Sequence, residues 1–365
     1  NGDRVLSFLP LNHIYERMLT YLNMYLGASV WYAESLETIG DNIREVQPVA
    51  FSAVPRLIEK VYDKIVAKGS ALQGFKKSMF MWALDLGLQY DPEHPGSLGY
   101  RAKLAVANKL VFSKWREALG GNVKAIVSGG AALNPKLARV FWAAGIPILE
   151  GYGLTETSPV ITVNTLLPGG LGVGTVGKVI QGVQVKIAED GEILSKGPNL
   201  MLGYYKRPDL DAEVFTEDGF FRTGDKGERR ADGLLKLTGR VKELFKTSKG
   251  KYVAPAPIEN RLNACNRIET SMVSGVGQPS AYAIVVLAET VRPQVKADPA
   301  FKAAVHAELE QLLDSVNAEL PDYEKLQMLV VAPEPWSIEN GMLTPTMKIK
   351  RARIESAVEP QLSNW

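Results

Sequence analysis

Residues 123–157 read VKAIVSGGAALNPKLARVFWAAGIPILEGYGLTET, and their pattern decides the fold class. Residues 123–127 form a strand-like apolar run that stops at Gly129 and Gly130. A well-signed helix follows. Asn134 suits the N-cap, Pro135 the first turn, and Gly145 the end. Leu137, Val140, Phe141 and Ala144 fall on one stripe at helical spacing. Residues 146–149 are apolar again and feed straight into EGYGLTET. Strand, helix and strand in succession predict parallel pairing inside an α/β layered core.

The same rhythm extends upstream. Strands are expected over 5–9, 30–33 and 49–54, and helices over 16–26, 39–46 and 56–68. Residues 75–119 differ. They are helix formers with basic punctuation, interrupted by Pro92 and Pro95, and read as a helical hairpin inserted on the surface of the core. From 173 to 237 the texture turns to antiparallel β. Asp190-Gly191, Asp218-Gly219 and Asp232-Gly233 each supply turn chemistry between strand-like runs. After Arg240 a smaller α+β unit begins. Its best-marked helix has Asp298 as cap, Pro299 at the start, and Val305, Leu309, Leu312 and Val316 along one face. The expected architecture is α/β, with a mainly parallel sheet core, a helical insert, an antiparallel β subdomain and a small C-terminal α+β domain. The larger domain is assigned to 1–241 (core 1–160, β subdomain 161–241) and the smaller to 242–365.

Composition narrows the function classes. The chain of 365 residues is 46% hydrophobic and 22% charged, an ordinary globular balance. A net charge of +2 argues against a protein held to nucleic acid by phosphate contacts. Cys265 stands alone, which excludes an internal disulfide framework and a cysteine-cluster metal site, and agrees with a reducing compartment. His13, His94 and His306 are too few for a histidine-rich metal cage. The uncharged run from Met18 to Ala33 is shorter than the roughly 20 residues that span a bilayer, so no transmembrane segment is expected. No secretory signal is visible. The chain opens directly into a strand-like run without an initiator Met, and the natural protein is expected to begin upstream.

EGYGLTET carries the most chemistry. Sheets of this class hold ligands at the carboxyl ends of their strands. Gly151 and Gly153 let backbone approach a bound group, and Tyr152 offers a flat face for a base. Thr155 offers a hydroxyl for a phosphate oxygen, and Glu156 a hard carboxylate for Mg²⁺. A glycine turn with a helix cap would spell the same letters. GVGTVGK at 172–178 spells the glycines and lysine of a phosphate-binding P-loop, but Val179 stands where that motif needs Ser or Thr. It precedes strands, not a helix, and reads as a connecting loop.

Five ordered stretches together resemble the adenylate-forming superfamily of acyl-CoA synthetases, luciferases and peptide-synthetase adenylation domains. EGYGLTET (150–157) is similar to its AMP-phosphate motif, and SGGAAL (128–133) to its adenine-pocket turn. FFRTGD (220–225) resembles the ribose motif, LTGRVKELFKTSKGKYVAPAPIE (237–259) the domain hinge and following loop, and LTPTMKIKR (343–351) the catalytic-lysine motif. LPLNHIYERM (9–18), LVFSKWREALGG (110–121) and GKYVAPAPIEN resemble the long-chain fatty acyl-CoA synthetase branch.

The resemblance implies a fatty acid–CoA ligase using ATP, Mg²⁺ and coenzyme A. Tyr152 with Gly129, Gly130 and Ala131 would frame the adenine, and Glu150, Gly151 and Gly153 would bind the nucleotide. Thr155 would hold the α-phosphate, Glu156 the Mg²⁺, and Asp225 with Arg240 the ribose hydroxyls. Lys348 would offset the charge of adenylation, although Met347 replaces the usual preceding glycine. Losing such a donor typically costs around 100- to 1000-fold in rate. His13 would lie beside the acyl-adenylate, Lys242 at the hinge, and Gly250 on the CoA channel. The residues from Met18 to Trp31 would wall an acyl tunnel, or equally pack a core. A cytoplasmic enzyme in peripheral contact with membranes, and no nucleic-acid partner, are expected. The superfamily's Ser/Thr/Gly phosphate loop is expected before residue 1. Two alternatives stay open: a ligase passing its acyl group to a carrier protein, and a nucleotide-binding piece without turnover.

Overall fold

The computed structural model describes residues 2–35, 37–241, 243–344 and 348–358. The chain forms two compact units, Asn1–Thr223 with Gly227–Leu237, and Gly224–Lys226 with Thr238–Trp365.

The first unit begins with β1 (Arg4–Ser7), α1 (Ile14–Tyr25), β2 (Ser29–Tyr32), α2 (Ile39–Val46), β3 (Ala50–Ala53) and α3 (Pro55–Ser70). Helices α4 (Gly74–Leu88), α5 (Leu98–Ala107) and α6 (Ser113–Ala118) follow, the last two joined by a π-helical turn, Asn108–Phe112. Then come β4 (Ala125–Ser128), α7 (Pro135–Ala143), β5 (Ile148–Gly153), β6 (Val160–Val163) and β7 (Lys178–Val179). These seven strands lie in the order β2-β1-β3-β4-β5-β6-β7. Pairing is parallel from β2 through β5 and antiparallel from β5 to β7. Parallel neighbours need crossovers, and the helices between these strands supply them. The mainly parallel core is as expected.

Helix α7 forms where its caps predict. The Asn134 side chain accepts from the Lys136 amide at 2.9 Å, and Val140 and Phe141 are fully buried. The insert departs from expectation. It does not lie on the surface of the core but forms part of it. Phe80, Ala83, Leu84 and Phe112 join the same buried cluster as Val140. Trp115 meets Phe112 and Phe141 edge-on, with ring centroids 5.3 and 5.8 Å apart. The lysines and arginines that suggested a surface piece, Lys76, Lys77, Arg101 and Lys103, occupy its outer face only.

The β subdomain holds β8 (Gln184–Ile187), β9 (Glu192–Lys196), a short helix α8 (Pro208–Val214), β10 (Phe221–Arg229) and β11 (Leu235–Arg240), with sheet order β11-β10-β9-β8. Gly191, Gly219 and Gly233 turn at φ 85°, 79° and 86°, the left-handed geometry that their Asp-Gly turns require. Residues 172–178 form no helix and run into β7, as read from Val179.

The second unit has a small pair β12 (Phe245–Lys246) and β13 (Tyr252–Val253), then α9 (Pro255–Leu262), β14 (Ile268–Ser274), β15 (Ala281–Leu287), α10 (Arg292–Ala297), α11 (Pro299–Ala318), β16 (Leu326–Val331) and α12 (Arg351–Val358). Strand β15 is central, antiparallel to β14 and parallel to β16. Asp298 caps α11 by accepting from the Ala300 amide at 2.8 Å, and Val305, Leu309 and Val316 face the core.

Candidate active site

In the first unit, several of the expected site residues lie around the ends of β4 and β5. Strand β5 does not stop at residue 149 but runs on through Gly153. The extension has a partner: Gly151, Tyr152 and Gly153 pair with Val163, Thr162 and Val160 of β6. Glycine is required at 153, because a Cβ there would lie 1.6 Å from the Pro159 carbonyl oxygen. EGYG is therefore strand and not loop. The loop proper begins at Leu154.

Alternation along β5 sends Glu150 and Tyr152 to one face and the glycines to the other. Tyr152 is 8% exposed and packs with Ile161, Val176, Ile193 and Leu235, so it belongs to the core of the β subdomain. Glu150 is also buried. It accepts the Leu133 amide at 3.3 Å, which ties the SGGAAL turn to β5. Burial pushes its carboxyl up to about 8, against the opposing pull of that amide.

The turn itself is shaped from beneath. Gly130 sits at φ 85°, in the left-handed region. Gly129 lies over the ring of Tyr15, where a Cβ would come within 3.3 Å of Cζ. The Tyr15 hydroxyl donates to the Val127 carbonyl at 2.9 Å. Two residues earlier, His13 is the N-cap of α1, its Nδ1 accepting the Tyr15 amide at 3.3 Å. In the neutral ring that role leaves the proton on Nε2. Glu16 is buried behind them and receives the Ser52 hydroxyl. His13 is thus fastened to the element that supports the Gly129 turn.

After β5, residues Thr155–Thr157 make one 3₁₀ turn. Thr157 is fully buried and accepts the Leu154 amide at 2.9 Å, which fixes the turn and leaves Thr155 exposed. Glu156 is half-buried. The Tyr204 hydroxyl donates to its Oε1 at 2.9 Å. Burial and the Glu156 carboxylate push the Tyr204 phenol up to about 12, so it stays a donor. Asn199 holds the far side of the turn, donating to the carbonyls of Thr157 and Val160 at 3.1 and 2.9 Å.

The second unit contains Asp225, Arg240, Gly250 and Lys348. Asp225 is 6% exposed and accepts from Arg240 Nε at 2.8 Å. The Val241 amide donates to the Gly224 carbonyl at 2.8 Å, bringing these neighbours side by side. Lys348 is an exposed residue. Desolvation of the ammonium and the Arg240 charge hold its pKa below the usual lysine value, against the pull of Asp225 and Glu243. Asp225, Arg240 and Lys348 therefore share one electrostatic neighbourhood. Gly250 turns the β12–β13 hairpin at φ 78°, its amide donating to the Thr247 carbonyl at 2.9 Å. Lys242 lies outside the described residues.

Tyr15, Tyr204, Asn199, Glu243 and Glu259 were not singled out from sequence. Each acts through a partner distant along the chain, and no spacing rule marks such residues. Among the described residues no cluster of three or more His, Cys, Asp or Glu could hold a metal ion. Mg²⁺ is commonly held by one or two carboxylates together with substrate phosphates, and Glu156 beside an exposed threonine suits that arrangement.

Residues 1–205 match the AMP-binding enzyme family, and residues 243–364 match the AMP-binding enzyme C-terminal domain. The chain belongs to the AMP-binding enzyme family. Among curated AMP-binding relatives, a long-chain-fatty-acid–CoA ligase, FadD15 of Mycobacterium bovis, is 35% identical over 96% of this chain and 60% of its own length. Long chain acyl-CoA synthetase 7, peroxisomal, of Arabidopsis thaliana is 31% identical over 97% of this chain and 54% of its own. The chain thus spans a little over half the length of these relatives. Of solved structures, the adenylation domain of a carboxylate reductase from Mycobacterium chelonae superposes with a TM-score of 0.74 at 23% identity, covering 100% of this chain and 54% of that one. The Bacillus subtilis o-succinylbenzoate CoA synthetase, solved with an acyl-adenylate, gives 0.67 at 20% identity, covering 97% and 60%. At that identity these two support the AMP-binding fold alone. The resemblance drawn from the motifs, to the adenylate-forming superfamily and its long-chain branch, is borne out.

No helix among the described residues is long and apolar enough to cross a membrane.

Proposed function

We propose that this chain serves in AMP-forming long-chain fatty acid–CoA ligation. The reading is carried by the β5 strand end, where Glu150, the close-approach Gly153 and the Thr155–Glu156 turn follow one another in an AMP-binding enzyme whose curated relatives include long-chain fatty acid–CoA ligases.

In the first half-reaction a fatty acid carboxylate oxygen attacks the α-phosphorus of ATP. The bond to the β-phosphate oxygen breaks, giving acyl-AMP and pyrophosphate. In the second, the CoA thiolate attacks the acyl carbon and AMP leaves. A free carboxylate is a poor electrophile, and the phosphate anhydride corrects this. The Gly129–Ala131 turn and β5 frame the adenine. Asp225 accepts from both ribose hydroxyls, one per carboxylate oxygen, with Arg240 fixing its orientation. Thr155 donates to an α-phosphate oxygen. Glu156, held by Tyr204, would hold Mg²⁺, which neutralises phosphate charge when bound. Lys348 offsets the negative charge that builds when one anion attacks another. His13 donates from Nε2 towards the acyl-adenylate. Gly250 lines the approach of the thiol, and Lys242 is the pivot residue.

The test is product analysis with the full-length protein. Palmitate, MgATP and CoA are expected to yield palmitoyl-CoA, AMP and pyrophosphate in equal amounts. Acyl-AMP that accumulates unchanged on addition of CoA would favour a carrier-protein acceptor. No AMP at all would refute activation.

A further inference from the structure

Arg351 opens α12 three residues after Lys348. A cation at a helix N-terminus is locally unfavourable, so what holds it there matters. Its Nη1 and Nη2 donate to the two oxygens of Glu259 at 2.6 and 2.7 Å, a fork-to-fork pair. Glu259 is buried on α9, and its Oε1 also accepts the Val273 amide of β14 at 2.7 Å. Arg351 Nη1 reaches the Val273 carbonyl at 3.4 Å, and Nη2 lies 3.6 Å from Glu243. Glu243 in turn lies 3.8 Å from Arg240, the residue paired with Asp225. The guanidinium is clamped between α9, β14 and the residues next to the ribose pair.

The segment carrying Lys348 runs straight into this clamp. The Thr344 amide donates to the Lys348 carbonyl at 2.8 Å, and the Lys348 amide to the Thr344 hydroxyl at 3.0 Å. Leu343 and Ile349 pair as an antiparallel bridge, and the Lys350 amide donates to the Met342 carbonyl at 2.9 Å. Lys348 is therefore tied back to Thr344, Ile349 and Lys350 are tied to Leu343 and Met342, and Arg351 is the first residue after them, held by its side chain.

We propose that Arg351, through its fork onto Glu259 and its approach to Glu243, is a positioning residue that sets where the Lys348 ammonium stands. This rests on the ligase reading above and on the role of Lys348 within it. The consequence is selective. In the first half-reaction an anion attacks an anion, and a displaced ammonium is felt strongly. In the second, a thiolate attacks an uncharged acyl carbon, and the same displacement matters little. Lysine cannot replace arginine fully here, because one ammonium does not match two carboxylate oxygens at once.

The experiment compares two assays on the full-length protein: palmitate-driven pyrophosphate–ATP exchange, and thioester formation from supplied palmitoyl-adenylate and CoA. Misplacing a reacting group by about 1 Å can cost on the order of 100-fold. Arg351→Ala is expected to lower exchange to that extent, and Arg351→Lys by roughly a tenth as much, with KM for ATP little changed. Thioester formation is expected to stay within about threefold, which also reports that each variant is folded. Glu259→Gln keeps the shape of the clamp and weakens its charge, and serves where Arg351→Ala loses both activities. Equal loss of both half-reactions in Glu259→Gln, or undiminished exchange in Arg351→Ala, overturns the proposal. Absent exchange in the wild-type protein overturns the ligase reading itself, and is seen before any variant is made.

Discussion

At the scale of single residues, Asp225 and Glu150 are two buried carboxylates in opposite situations. Asp225 is paired with a guanidinium, whereas the Glu150 carboxyl accepts a backbone amide. A charge-assisted hydrogen bond is worth about 1.5–3 kcal/mol, so Asp225→Ala should weaken ATP roughly 10- to 150-fold, read by nucleotide titration. Glu150 makes a pH prediction. Its folded-state pKa, up to about 8, lies above the unfolded value of 4.5, so the folded state holds the extra proton. Stability from this group is complete below pH 4.5 and is lost as pH rises towards 8. The slope is at most about 1.4 kcal/mol per pH unit. Glu150→Gln keeps the neutral shape and should flatten the fall in melting temperature over that window. An unchanged slope would mean that Glu150 is ionised in the fold. Asp225 was legible because it ends a motif. The buried state of Glu150 was not, since burial depends on α7 and β6 arriving from elsewhere in the chain.

At the scale of elements, the strand β5 continues through Gly153 because β6 returns beside it. Gly153 is where the two backbones come closest, and Gly153→Ala would drive a methyl into the Pro159 carbonyl. Overpacking of this kind typically costs about 1–3 kcal/mol. Denaturant unfolding should register that loss, together with weaker AMP binding. The turn under Gly129 gives a milder test. Tyr15→Phe removes the hydrogen bond to the Val127 carbonyl and should cost about 1 kcal/mol without abolishing the fold. The starts of helices α7 and α11 were readable to the residue, because Asn134 and Asp298 are explicit caps. The end of β5 was misread, because glycines at 151 and 153 look like a loop until a partner strand explains them. The insert was misplaced for a related reason. Its basic residues are visible in sequence, whereas the rings of Phe112 and Trp115 reveal their burial only against Phe141.

At the scale of the whole molecule, the first unit presents apolar side chains on α1 and the edge strand β2. Tyr25 is 88% exposed, Met24 60% and Tyr32 56%. Exposed apolar side chains of this size offer attachment points for a hydrophobic probe. Residues 1–365 produced alone are expected to bind a hydrophobic dye, and polar replacements at Tyr25 and Tyr32 to reduce that signal. Unchanged dye binding would place the apolar surface elsewhere. The five motifs were legible as an ordered series, because each is a short local signature. Their meaning depends on all of them serving one nucleotide. That claim is tested most directly by a crystal structure of the full-length protein with a non-hydrolysable acyl-adenylate analogue. The account predicts the ribose hydroxyls within hydrogen-bonding reach of the Asp225 carboxylate, and the phosphate-replacing group at the Thr155 hydroxyl. An analogue bound away from either side chain would contradict it.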